Sequence, residues 1–239
     1  MLKINAADNF RRTLAGLCLI AAPLAFMVSE VMYSRFFSQE SDQQFFAAVA
    51  EKSAIWTFAT LLGLLAAILF VPAVVGMVHL LKGRGVVLGH VGGALAIIGA
   101  VGYACHQMLF VVMGEMARME GQQEAVISVS KQLDSSVIIG IIAMLMFLLS
   151  LSLGLILLTI GLYRAGIAPI WAPVCVFLSI LPAFVPLDSD YPGYAAFALL
   201  AVGLGIVGAK VLGMSDADWG RGQTSAVDEV GLGALPRVQ

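Results

Sequence analysis

Between Asp134 and Arg164 the chain carries 29 consecutive residues without a charge. Five other windows, centred near residues 22, 67, 100, 176 and 200, are almost as free of charge. A helix needs about 20 apolar residues to cross roughly 30 Å of hydrocarbon, and every window reaches that length. Because backbone groups in hydrocarbon must be hydrogen-bonded within their own segment, each window is predicted to be a membrane-spanning helix.

The composition supports a membrane protein. Hydrophobic residues are 60% of the 239 and charged residues 12%, whereas soluble domains are roughly half apolar and about a quarter charged. We predict an all-α polytopic integral membrane protein, a six-transmembrane-helix bundle with both termini cytoplasmic. The transmembrane domain is residues 1–213, the spans are residues 13–33, 54–81, 86–113, 137–163, 166–186 and 191–210, and residues 214–239 are a flexible cytoplasmic tail.

The Lys and Arg residues fix the predicted orientation. Nine of the thirteen fall in the amino terminus, the second and fourth connections and the tail. Since positive residues mark the cytoplasmic face, both termini are predicted to lie on the cytoplasmic side of the plasma (cell inner) membrane. An even number of spans likewise places both termini on the same side. Ten of the fifteen acidic residues fall on the outer side. The apolar windows make the lipid bilayer the expected partner. Because the outer side is acidic and the net charge is near neutral, nucleic acid is not expected as a partner.

The two long outer connections are predicted to be helical. In residues 34–52, Ser41 is followed three positions later by Gln44, the spacing of a capping box, and then by apolar residues among polar ones. This pattern predicts a short amphipathic helix at the outer interface. Residues 115–134 have a helix-forming composition and are predicted to extend the third span into water, with a break at Gly121.

Small residues recur at four-residue spacing in two predicted spans. In lipid, such stripes let two helix backbones approach closely, which is a main source of helix association. They predict a central position for the third span and offer a surface to a membrane protein partner or to a second copy of the chain. The stripes are Gly92, Ala96, Ala100 and Ala104 in the third span and Ala201, Gly205 and Ala209 in the sixth.

The fifth predicted span contains four prolines. A proline inside a helix removes one internal hydrogen bond and favours a kink. Pro173 and Pro182 therefore predict a kinked fifth helix. Kinks accompany transport mechanisms, and they also occur in inert bundles whose neighbouring helices satisfy the freed carbonyls.

A few ionisable or strongly polar residues lie at membrane depth in the outer half of the bundle. Such a side chain costs a few kcal/mol inside a bilayer, so it is a hypothesis of function by default. Among these residues His106 is the favoured candidate for a functional role, because its imidazole can donate a hydrogen bond, accept one or become charged. His106 shares one predicted helix face with Tyr103 and Gln107. The alternative is a histidine that only fixes packing. The candidate ligand-binding residues are His106, Gln107, Tyr103, Glu30, Asp188 and Asp190.

No metal site and no cofactor are predicted. His79 and His90 flank the turn between the second and third spans, but no third ligand with suitable spacing accompanies them. The three cysteines lie in separate apolar windows, where they behave as small hydrophobic residues. The chain contains no phosphate loop, HExxH motif, nucleophile elbow or paired catalytic carboxylates within a single helix.

Three classes of function remain open. An accessory or partner-binding membrane protein is favoured, because no motif specifies a reaction. The alternative is a membrane-embedded enzyme, or a protein that binds a small ligand or lipid, with an outward-facing polar pocket around His106. A small transporter is the third, and it is weakened because the middles of the second, fourth and sixth spans carry few polar groups.

Overall fold

The structure is a computed structural model that describes residues 2–38, 41–119, 123–137, 141, 144–184 and 191–220. All regular secondary structure in these residues is helical, as predicted. A π-helix, Met144–Leu149, precedes α6, and a 3-10 turn, Leu181–Phe184, follows α7. The α-helices are α1 (Leu2–Phe37), α2 (Asp42–Glu51), α3 (Ser53–Leu80), α4 (Val86–Ala117), α5 (Gln123–Ser135), α6 (Ser150–Arg164), α7 (Trp171–Leu178) and α8 (Tyr191–Leu212).

Five helical stretches among the described residues are long and apolar enough to cross a membrane. They coincide with the first, second, third, fourth and sixth predicted spans. Large apolar side chains cover their outward faces, as on Phe58 and Ile68 of α3, and such a surface suits lipid rather than water. The stretches are Ala7–Phe37, Ser53–Leu80, Val86–Ala117, Leu145–Arg164 and Gly193–Leu212.

The region predicted as the fifth span, residues 166–186, differs from one long kinked helix in its described part. Pro173 lies in the first turn of α7, where a missing N–H costs little. Pro182 lies in the 3-10 turn and cannot donate the hydrogen bond that would continue an α-helix. Residues 185–190 lie outside the described residues, so a sixth membrane crossing stays a prediction.

Glycines bring α4 and α6 into direct backbone contact. A Cβ atom on Gly92 would lie 2.5 Å from the backbone nitrogen of Leu158, and a Cβ on Gly154 would collide with the backbone of Ala96. α4 also packs on α3, which gives it the central position that the small-residue stripe predicts. The stripe of the third span is therefore occupied within the chain, and it is not a free surface for a partner.

The small-residue stripe of the sixth predicted span has a different environment. A Cβ on Gly205 would meet no atom of the described residues within 4 Å, and Ala209 is exposed. The opposite side of α8 is filled, because Gly203 packs on α7 and Gly208 packs on α1. Of the two small-residue stripes, only that of α8 is not covered by another helix in the described part of the chain.

The amphipathic helix in residues 34–52 is confirmed as α2. Its N-cap is Ser41, whose hydroxyl oxygen accepts a hydrogen bond from the backbone nitrogen of Gln44 at 3.3 Å. The predicted extension of the third span is instead a separate helix: α4 ends at Ala117, and α5 begins at Gln123. The predicted break at Gly121 lies outside the described residues.

The first residues of the predicted tail, residues 214–220, pack against the bundle. Trp219 is only 2% exposed, and its ring lies 4.7 Å from the ring of His79 at the end of α3. The guanidinium of Arg12 in α1 forms an ion pair of 3.2 Å with Asp216. The chain after α8 therefore ties α1 and α3 together at this end of the bundle.

Candidate functional site

The structure describes four of the six predicted site residues. Glu30 and Tyr103 contact each other directly, and Gln107 lies one helical turn from Tyr103 on the same face of α4. His106 is separate from these three. Asp188 and Asp190 lie outside the described residues, so their distance from the imidazole stays untested.

Glu30 and Tyr103 form a polar contact between α1 and α4. The Tyr103 hydroxyl donates a hydrogen bond of 3.1 Å to Oε1 of Glu30. Tyr103 is fully buried, whereas Glu30 is only partly buried. The ring of Tyr103 packs edge-on against Phe26 and is stacked on Phe147. The contact therefore fixes how α1 and α4 face each other at membrane depth.

A second polar contact joins three helices through Tyr33. Its hydroxyl lies 2.7 Å from Oγ1 of Thr60 in α3 and 3.1 Å from Oε1 of Gln107 in α4. The Thr60 hydroxyl in turn donates to the carbonyl of Trp56 at 2.9 Å. Tyr33 thus bridges α3 and α4 from α1, a role that its place near the end of the first predicted span did not indicate.

Gln107 lies in the tight contact between α4 and α3. It is 0% exposed, and a Cβ on Gly63 would lie 2.5 Å from its Nε2 atom. Nε2 has no hydrogen-bond partner among the described residues. Since the group is enclosed by α1 and α3, it fits a helix-packing role better than contact with a ligand from outside.

His106 projects from another side of α4. Its ring centroid lies 4.5 Å from that of Phe110 and 5.7 Å from that of Phe147. Within the described part of the chain the imidazole makes no hydrogen bond, and it is half-buried. It is therefore held by aromatic contacts, while its ring nitrogens are unpartnered.

The imidazole lines a groove of about 520 Å³ between α2, α4 and α5, which we call the α5 groove. Its walls are mostly apolar. Leu109 and Val112 are 49% and 51% exposed, so this side of the groove opens on the surface of α4 that would face lipid. Other lining side chains are Phe45, Phe46, Phe110, Met113, Val126 and Val129.

A polar pocket adjoins the α5 groove at the end where α2 and α5 meet. Asp42 lines both, and its Oδ2 lies 3.5 Å from the Lys131 ammonium. Gln43 and Glu124 also line the polar pocket. The α5 groove therefore has apolar walls and charged side chains at this end, which we call its mouth.

The α5 groove was not predicted from the sequence. The signal was present: Val126, Val129 and Leu133 are spaced by three and four residues in residues 115–134, which places them on one helix face. That pattern predicts a face but not the surface that it covers. The third wall, α2, was predicted as an interfacial helix without any indication that it lies beside His106.

The two histidines that flank the turn between α3 and α4 have unrelated partners. His79 Nε2 lies 3.3 Å from the carbonyl oxygen of Trp219, and the exposed His90 has Nδ1 2.8 Å from the carbonyl oxygen of Val86. In the described ranges no group of three or more His, Cys, Asp or Glu residues could hold a metal ion.

Comparison with protein-family models, with curated proteins and with solved structures found no match to this chain.

Proposed function

We propose that the protein is a six-span membrane protein that binds a single-chain amphiphilic molecule in the α5 groove, on the outer side of the plasma membrane. The charged pocket beside the apolar groove carries this proposal. Asp42 belongs to both, so one molecule could place a chain in the groove and a polar head at the mouth.

The dimensions of the groove fit such a ligand. Its volume of about 520 Å³ lies within the range of about 300–1,000 Å³ that is typical of small-molecule sites. Both Met116 and His106 line it, and they are ten residues apart on α4, or about 15 Å at 1.5 Å per residue. A linear chain can follow this length of α4 within the groove.

The charges at the mouth favour an amine. The two carboxylates, Asp42 and Glu124, face one ammonium, Lys131, so the pocket carries an excess of negative charge. A cationic head is attracted there, whereas an anionic head would meet like charge. We therefore expect an amphiphile with an amine at its head.

The binding experiment compares a blocked groove with an unblocked one. Radiolabelled decylamine is added to protein in lipid nanodiscs, and the amount bound by empty nanodiscs is subtracted. Val129→Trp fills the groove and should abolish saturable binding, whereas Val202→Trp, on the exposed face of α8, should bind as the wild type does. Equal binding by both variants, or no saturable binding at all, would contradict the proposal.

The orientation is tested by labelling single cysteines from outside intact cells. The starting variant has its three cysteines, Cys18, Cys105 and Cys175, replaced by alanine. A membrane-impermeant maleimide should label Gln43→Cys in intact cells, but Arg84→Cys only after the membrane is opened. The reverse pattern would place the α5 groove in the cytoplasm.

An accessory role through partner binding is the second candidate. The open stripe around Gly205 supports it, because small residues exposed to lipid allow another helix to pack closely. Gly205→Leu should then reduce co-purification of the partner, or of a second tagged copy of the chain. An unchanged yield of both would count against this role.

A further inference from the structure

We infer that the ligand of the α5 groove carries a second hydrogen-bonding group at its buried end, and that His106 binds this group. The inference rests on the proposed function. It adds the chemical class of the ligand: a linear amphiphile with an amine at the mouth and a hydroxyl or carbonyl farther along its chain, where the chain passes His106.

His106 differs in its hydrogen bonding from the other polar side chains around it. Tyr33 and Tyr103 each bond to protein groups, and Ser34 lies 3.0 Å from the Tyr194 hydroxyl. The imidazole has ring contacts but, among the described residues, no hydrogen bond. A polar group in an apolar wall is unfavourable unless something bonds to it.

His106 is also accessible from the groove. Gln107 Nε2 also lacks a partner in the described part of the chain, but Gln107 is 0% exposed and enclosed between helices. His106 is half-buried and lines the groove. A molecule in the groove can therefore reach the imidazole and cannot reach the amide.

The aromatic contacts of His106 leave its ring nitrogens available to a ligand. Phe110 and Phe147 pack on the His106 ring and restrict its orientation without using its nitrogens. A neutral imidazole has one N–H donor and one nitrogen acceptor. It can therefore bond to a hydroxyl, which both donates and accepts, or donate to a carbonyl oxygen.

The test compares two probes that differ by one group, decylamine and its ω-hydroxy analogue. Their dissociation constants are measured in nanodiscs of the same lipid for the wild type and for His106→Leu. The partitioning difference between the probes is the same in both measurements, so it cancels when the ratio of the two constants is compared between the two proteins. The preference for the hydroxy probe should fall roughly fivefold to tenfold in His106→Leu, which is the value of one hydrogen bond. Decylamine itself should still bind.

Two further variants separate the role of the imidazole from folding. His90→Leu makes the same change at the exposed, opposite end of α4 and should keep the wild-type ratio. His106→Gln retains a donor and an acceptor and should restore part of the preference. An unchanged ratio in His106→Leu would overturn the inference while leaving the proposed function intact, because saturable decylamine binding is the separate test of that function.

Discussion

His106 and Gln107 are neighbours in the sequence, yet their side chains lie in two separate environments. Gln107 is enclosed among α1, α3 and α4 and lies 3.1 Å from the Tyr33 hydroxyl. His106 lines the α5 groove and contacts the rings of Phe110 and Phe147. One turn of α4 therefore contributes to the packed interior and to a surface groove at the same time.

Removing the bridging hydroxyl of Tyr33 should destabilise the bundle. Tyr33→Phe leaves Thr60 and Gln107 without this contact, and an unpaired buried polar group costs about 1–3 kcal/mol. The free energy of unfolding in detergent measures the effect. Tyr163→Phe is the control, because Tyr163 is exposed, and it should have little effect. Equal effects of the two changes would show that the bridge is not stabilising.

The contact between Glu30 and Tyr103 should depend on an acceptor rather than on charge. Glu30→Gln keeps a side-chain oxygen that can accept from the Tyr103 hydroxyl, so stability should change by less than about 1 kcal/mol. Glu30→Leu leaves the buried hydroxyl unpaired and should cost about 1–3 kcal/mol. Thermal unfolding of both purified variants gives the comparison, and a larger loss in Glu30→Gln than in Glu30→Leu would refute it.

The close approach of α4 and α6 should tolerate no added methyl group. In Gly154→Ala the new Cβ would meet the Ala96 backbone, and overpacking of this kind costs about 1–3 kcal/mol. Gly205→Ala places the same group in open space and should be neutral, or stabilising by up to about 1 kcal/mol through helix propensity. Retention of a monodisperse peak after heating, measured for both variants, tests this difference.

Trp219 should hold the segment after α8 against α1 and α3. Truncating a buried tryptophan costs about 3–5 kcal/mol, which would increase opening of the segment by roughly a hundredfold or more. Amide hydrogen exchange of residues 214–220 should therefore accelerate in Trp219→Ala. Trp171→Ala removes a ring that is 65% exposed and should leave this exchange unchanged. Slow exchange in Trp219→Ala would mean that other contacts hold the segment.

The long helices could be predicted from sequence because length and absence of charge are local properties. α2 could also be predicted, since Ser41 and Gln44 lie within one turn and form a contact that requires no distant residue. The end of α7 at Leu178 was harder to predict from the sequence. Pro173 and Pro182 correctly indicated that this region is not one regular helix. Whether a proline kinks a helix or ends it, however, depends on the packing around it.

The candidate site could be predicted only in part. Spacing placed Tyr103, His106 and Gln107 near one another, but each residue turns an α-helix by about 100°, so adjacent side chains can face different neighbours. Which neighbours they meet depends on long-range packing of α1, α3 and α5 around α4. For the same reason, no local pattern could show that Tyr33 reaches Thr60 and Gln107.

The short helix α7 has a consequence for the surroundings of the bundle. Its eight residues rise only about 12 Å, less than half of a hydrocarbon layer of about 30 Å. Backbone outside regular helices stays at membrane depth only where protein covers it or where it lines a water-filled cavity. Phe177 and Leu181 are nevertheless 52% and 44% exposed on this side. We therefore expect the bilayer to be thinner beside α7, or a second polypeptide to complete the wall there.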